Sequence, residues 1–416
     1  MYILFAILSF SWFISFSVLN VESLEWGLQT SWFLCILFSI YFVALFLTKK
    51  HLKISFNIYD AFFLVIFFIT IFDYLLLDSI GVNTIRSFLF DIEYEYSLDQ
   101  LKKRSIPHLL YIIFLWFCIK NIYAYFSYYK NICHIWIKKY FITFPFFFVG
   151  LWAIYQWFST YDIVPYVKIF NNNISTGFTY LRFKDSHRTS SIFPEPSEYA
   201  YFLAFYLPIV LSYSLGGRNM FSLSGNKLLR ICVFVFYFLQ VILCKSMSYF
   251  LMFPVILLYS INTVIKGKRI MLNIMFCFLV IIFGVFVYLI YGERLLRVVS
   301  GIDSSMLIRL GSLYGGFALF IASPITGVGY GAIRGVDLFS FLLACFGLVG
   351  TLMLIFCMHK LRKIAKNNNI SELFYHSFVS LIFMAMVSNP VLEHISIWII
   401  LAVIVFFGKK RPHEIR

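Results

Sequence analysis

Apolar residues in this chain arrive in runs of about 20, each long enough to cross a hydrocarbon layer about 30 Å thick at about 1.5 Å per residue. Such runs predict spans near residues 2–20, 31–48, 54–79, 108–129, 140–158, 198–215, 231–245, 247–265, 270–291, 337–358, 372–389 and 391–408. The stretch 231–265 is interrupted only by Lys245 and its serine neighbours, which suits two helices joined by a very tight turn. The pattern predicts an all-α fold: one polytopic transmembrane helix bundle over residues 1–416, with about 12 spans. Three connections are long, at 81–107, 159–197 and 292–336.

The polar positions orient these spans. Lysine and arginine cluster at Lys49, Lys50 and Lys53; Lys130, Lys138 and Lys139; Arg218, Lys227 and Arg230; Lys266, Lys268 and Arg269; Lys360, Arg362, Lys363 and Lys366; and Lys409, Lys410, Arg411 and Arg416. Every second connection is thus basic. By the positive-inside rule these clusters are cytoplasmic, both termini are inside, and the three long loops are extracytoplasmic. The first span lacks a basic leader and a small-residue cleavage site, so it reads as a retained helix.

Composition agrees with the pattern. Apolar residues make up 61% and charged residues only 13% of the chain, too apolar a mixture for a water-soluble core. The net charge of +15 sits largely in the inner clusters, so it calls for no nucleic acid. Eight cysteines lie within spans or on the cytoplasmic side without metal-ligand spacing, so neither a disulfide framework nor a metal or cofactor site is expected. Most acidic residues fall in the outer loops beside arginines, and that mixed charge suits a polar or anionic substrate.

Loops beyond about 15 residues are usually functional or disordered. In the first, Asp91, Glu93, Glu95 and Asp99 precede Lys102, Lys103 and Arg104, which reads as a solvated amphipathic helix or a partner-docking surface. The second ends in His187-Arg188-Thr189-Ser190-Ser191-Ile192-Phe193-Pro194-Glu195-Pro196-Ser197-Glu198-Tyr199-Ala200 and runs straight into a span. Two prolines fix the backbone around Glu195, while Ser197 is a natural N-cap and Glu198 suits the positive end of a helix dipole. Helix initiation alone could explain those residues, yet ionisable groups at the rim of a span are functional candidates.

The third loop carries Arg294, Arg297, Arg309 and Arg334 around Ser323-Pro324-Ile325-Thr326-Gly327-Val328-Gly329-Tyr330-Gly331. Leu310–Ala322 is apolar but short, and is expected to lie on or dip into the outer interface. Glycines there let backbone N–H groups approach a ligand. Arginine binds phosphate oxygens bidentately and keeps its charge in low dielectric, although a single arginine near a headgroup more often only snorkels. Lys245 falls at the outer turn, and His394 in the last outer connection could be a proton carrier or a plain interfacial histidine. Asp60, Asp73 and Lys120 lie inside spans, where mutual pairing would be structural.

The arginine followed by Ser-Ser-Ile-Phe-Pro-Glu-Pro-Ser-Glu-Tyr-Ala resembles the Wzy-type O-antigen or polysaccharide polymerases of bacteria. Arg309 with its apolar segment and Ser-Pro-Ile-Thr-Gly-Val-Gly-Tyr-Gly is similar to the wider O-antigen polymerase and ligase superfamily, as is the Ser246-Met247-Ser248 turn; the likeness covers most of residues 140–410. It implies a metal-independent, inverting glycosyltransferase at the outer face of the bacterial inner membrane. Donor and acceptor would be undecaprenyl-diphosphate-linked oligosaccharides, with membrane lipid around them and a Wzz-type chain-length co-polymerase as partner. On that reading Arg188 and Arg309 hold the diphosphate, Glu195 is the base and His394 its substitute. Arg294, Arg297, Lys245, Ser246, Glu198, Tyr330 and Arg334 contact substrate. A ligase that moves finished polymer to lipid A core or protein is the nearest rival, and a flippase for the same lipids is the rival of a different class.

Overall fold

The computed structural model describes residues 2–12, 17–21, 26–48, 56–79, 84–89, 92–167, 187–215, 220–264, 304–333, 337–388 and 394–409, with 284 and 292 as isolated positions. Its helices are α1 (Tyr2–Phe10), α2 (Thr30–Thr48), α3 (Ile58–Ser79), α4 (Leu98–Tyr128), α5 (Lys130–Trp136), α6 (Phe144–Thr160), α7 (Pro196–Ser214), α8 (Lys227–Cys244), α9 (Met247–Val264), α10 (Ser304–Ala322), α11 (Leu338–Ala365), α12 (Asn369–Ala385) and α13 (Ile395–Gly408). Two antiparallel hairpins accompany them, β1 (Ser17–Val21) with β2 (Trp26–Gln29) and β3 (Thr84–Leu89) with β4 (Ile92–Ser97).

Among the described residues, five helical stretches are long and apolar enough to cross a bilayer: Ile58–Leu76, Ser105–Tyr128, Ile132–Thr160, Lys227–Cys244 and Leu338–Ala365. They make this a helical membrane protein. Their outward faces agree: Phe68, Phe72, Leu75, Val235, Leu251, Leu352 and Phe356 are exposed, which is stable only where the surrounding solvent is hydrocarbon. α7 and α13 occupy the interior; α7 packs on α8, α9 and α12, and α13 on α4, α11 and α12. α13 is buried along almost its whole length, as expected of a helix apolar on every side.

The structure departs from the sequence reading in three places. The first expected span, 2–20, ends as a helix at Phe10, and the chain turns into the first hairpin. Loop 81–107 forms the second hairpin and the opening of α4; the Glu95 carboxylate pairs across the strands with Arg86 at 3.3 Å, where a solvated helix was expected. Alternating β-branched and aromatic residues over 84–97 favour that pairing. The basic cluster Lys130, Lys138 and Lys139 lies on a continuous helical stretch, α5 to α6, joined by a π-helical segment Ile137–Thr143. Pro145 has no N–H for the Phe141 carbonyl, and the Tyr206 hydroxyl donates to it at 3.1 Å. The expected span 270–291 lies outside the described residues.

Interior polar groups are paired where the sequence suggested. Lys120 meets Asp60 at 2.8 Å, and the Trp116 indole donates to the same carboxylate at 2.7 Å. Asp73 stays apart from that pair, beside the tip of α10.

α10 dips into the bundle. Gly316 lies against Ser340 while Pro324 and Ile325 lie against Leu348 and Val349, so α10 and α11 run in the same direction and the chain returns through 327–333 before α11 starts. α11 is broken at Gly347 (φ 57°), about 14 Å below its start, near the bilayer middle. The backbone groups released by the break are taken up by the returning chain. Leu348 and Val349 N–H donate to Pro324 and Ile325 carbonyls at 2.9 and 3.0 Å, and the Ala344 and Cys345 carbonyls accept from Val328 and Gly329 at 2.8 and 3.0 Å. Irregular backbone at this depth is tolerable only with such pairing. A side chain on Gly327 or Gly347 would sit 2.6 or 2.4 Å from opposing backbone.

Candidate functional site

The segment 187–196 is stitched to α6 and to the end of α8. Gln156 of α6 accepts from the Ser190 and Ser191 N–H groups at 2.9 and 2.8 Å, and Ser191 Oγ donates to the Val149 carbonyl at 2.7 Å. On the other side, Thr189 N–H donates to the Leu243 carbonyl at 3.1 Å and Cys244 Sγ to the Pro196 carbonyl at 3.2 Å. The end of the second long loop, from His187 on, is therefore held against the turn that joins α8 to α9, and Arg188 lies within electrostatic reach of Cys244 and Lys245. His187 stacks on Tyr161 with centroids 4.1 Å apart.

Left-handed backbone concentrates here. His187, Ser191 and Lys245 all have positive φ, at 47°, 53° and 43°. Each is disfavoured for a residue with a Cβ by about 1–2 kcal/mol, and persists only because the surrounding hydrogen bonds demand it. Lys245 makes the expected tight turn in two residues, with Ser246 buried behind it. Burial, and secondly the neighbouring Arg188 guanidinium, push the Lys245 ammonium below its ordinary range, so it is readily discharged as pH rises.

Arg309 reaches the same turn from α10. Its Nη1 donates to Ser248 Oγ at 2.7 Å and to the Val387 carbonyl, just past α12, at 3.0 Å. The adjacent Ser388 carbonyl accepts from the Tyr201 hydroxyl of α7 at 3.2 Å. Tyr201 lies within electrostatic reach of both Arg309 and Glu198, and Glu198 is one helical turn before it. Arg309 thus binds one end of the short turn 244–248, and Arg188 lies within electrostatic reach of the other.

The α7 start differs in detail from expectation. Glu195, not Ser197, is the N-cap: its backbone is extended and its carbonyl accepts from Glu198 and Tyr199 N–H at 3.1 Å each. The Ser197 hydroxyl donates to Glu195 Oε2 at 3.0 Å. Proline at the first helical position explains the choice, since Pro196 has no N–H to lose there. Glu198 faces Glu195 closely enough for the carboxylates to repel each other.

Other candidates separate from this cluster. Tyr330 is buried in the glycine turn, its N–H donating to Thr70 Oγ1 at 3.0 Å and its ring stacked on Phe346. His394 is the N-cap of α13; among the described residues it makes no hydrogen bond or ion pair with Glu195, Arg188 or Arg309. Arg294, Arg297 and Arg334 lie outside the described residues.

Ser248, Tyr201, Gln156 and the Val387 carbonyl escaped the sequence reading as site residues. Only Ser248 left a trace there, in the Ser246-Met247-Ser248 turn; the other contacts arise between segments too far apart for spacing to reveal. The cluster joins two guanidiniums, a half-buried lysine and two carboxylates at one end of the helix bundle, a set able to hold an anion beside a proton acceptor. The chain matches no protein-family model, no curated protein and no solved structure.

Proposed function

We propose that this protein is a bacterial polysaccharide polymerase that joins undecaprenyl-diphosphate-linked repeat units by inverting glycosyl transfer at the outer face of the inner membrane. The observation that supports the reading is that Arg309 donates to Ser248, at one end of the turn between α8 and α9, while Arg188, 121 positions earlier, lies within electrostatic reach of Cys244 and Lys245 at the other. A departing diphosphate needs fixed cations, and guanidiniums held by backbone and hydroxyl contacts offer charge that requires no reorganisation. The acidic pair at the start of α7 supplies a proton acceptor for the incoming sugar hydroxyl.

With the basic clusters cytoplasmic, this turn would lie outside, where lipid-linked repeats would meet it from between helices. Lys245 and Ser246 add contacts to the diphosphate, and a chain-length co-polymerase is the expected partner. The reading is tested in cells by Arg188→Ala and Arg309→Ala. Each variant should insert at normal level yet lower long-chain product by about 10²–10³-fold, the loss typical of one transition-state donor. An unchanged ladder on a gel in both variants overturns the reading.

A further inference from the structure

Two carboxylates stand at the start of α7, and the structure treats them differently. Glu195 is committed to its own turn: Ser197 Oγ donates to its carboxylate at 3.0 Å, and its carbonyl caps the helix. Glu198 Oε2 is closed off from solvent and has no hydrogen-bond partner among the described residues. A buried carboxylate oxygen without a donor costs more than a solvated one, and such an orphan is what a site reserved for an incoming hydroxyl looks like before the hydroxyl arrives. Tyr201 links it to the arginine site, since that side chain lies within electrostatic reach of both Glu198 and Arg309. One turn further along α7, Tyr201 binds the Ser388 carbonyl at 3.2 Å, and Arg309 binds the neighbouring Val387 carbonyl at 3.0 Å and Ser248 at 2.7 Å.

Resting on the polymerase reading, we infer that Glu198, not Glu195, is the catalytic base. The acceptor sugar hydroxyl gives its proton to Glu198 Oε2 as its oxygen bonds to the donor's anomeric carbon. The bond from that carbon to the phosphate oxygen breaks, and its electron pair leaves with the diphosphate, which Arg188 and Arg309 hold. Glu195, on the same end of α7, keeps the helix start in place and is a positioning residue.

The test uses membranes holding the full-length protein and lipid-linked repeat units extracted from cells lacking it. Glu198→Gln keeps the shape and removes the base, so polymerisation should fall by about 10²–10⁴-fold. Glu195→Gln should cost clearly less. Glu198→Asp should recover part of the activity and move the acidic limb of the pH–rate profile, a change that a purely structural role does not produce. Chain elongation by Glu198→Gln at near wild-type rate, or an unmoved acidic limb in Glu198→Asp, overturns the assignment. If Arg188→Ala and Arg309→Ala also elongate normally, the polymerase reading itself fails; if they are inactive while Glu198→Gln works, only the choice of base fails.

Discussion

At the scale of single residues, burial decides which charges matter. Lys120 and Asp60 neutralise each other deep in the bundle, and replacing Lys120 with Met strands a carboxylate that also holds Trp116. The expected loss is about 3–5 kcal/mol, read as a lowered thermal midpoint in detergent. Lys245 behaves oppositely, because it is half-buried and, secondly, stands beside the Arg188 guanidinium. Its lowered pKa means that its charge disappears as pH climbs through that value, earlier than for an exposed lysine. Arginine at this position stays charged, so Lys245→Arg should extend polymer synthesis further into the alkaline range than the wild type, measured as the rate from pH 7 to 10.

At the scale of elements, the dipping helix α10 and the broken helix α11 form one unit, since each repairs the backbone of the other. Gly347 is the hinge of that exchange: its φ is positive, and a Cβ would press on the Ile325 carbonyl at 2.4 Å. Gly347→Ala should therefore release the tip of α10 and destabilise the fold by at least about 1–3 kcal/mol. A cysteine placed at Thr326 would then react faster with a thiol reagent than in the parent protein; equal rates would show that the tip is held by something else.

At the scale of the molecule, the basic clusters and the antiparallel order of α6, α7, α8 and α9 assign the ends of the bundle to opposite sides. Tyr213 at the end of α7 donates to the Ser224 carbonyl just before α8, whereas His187 and Thr160 meet at the other end. Cysteine at Ile163 should be labelled in intact cells by an impermeant maleimide, and cysteine at Ser224 only after permeabilisation. Labelling of both from outside refutes the orientation on which the proposed site depends.

Much of this architecture was legible in the chain. A run of apolar residues must satisfy its own backbone in lipid, so α2, α3, α7, α8, α9, α11, α12 and α13 fall close to the predicted runs, down to the two-residue turn at Lys245. Glu93 and Glu95 fall on a strand, while Asp99, Lys102, Lys103 and Arg104 do lie on a helix; charge patterning does not distinguish a solvated helix from a strand pair whose charges face each other across the ladder. Arg188 and Arg309 could be suspected from their neighbours, but hydropathy is a local property and carries no information on which loops meet. Only tertiary packing brought Arg309 to Ser248 and Arg188 within reach of Lys245, buried Tyr330 against Thr70 and Phe346, and gave Glu195 a donor while leaving Glu198 Oε2 without one among the described residues. Those outcomes depend on how helices distant in sequence align their ends, and on which buried groups find partners once they do.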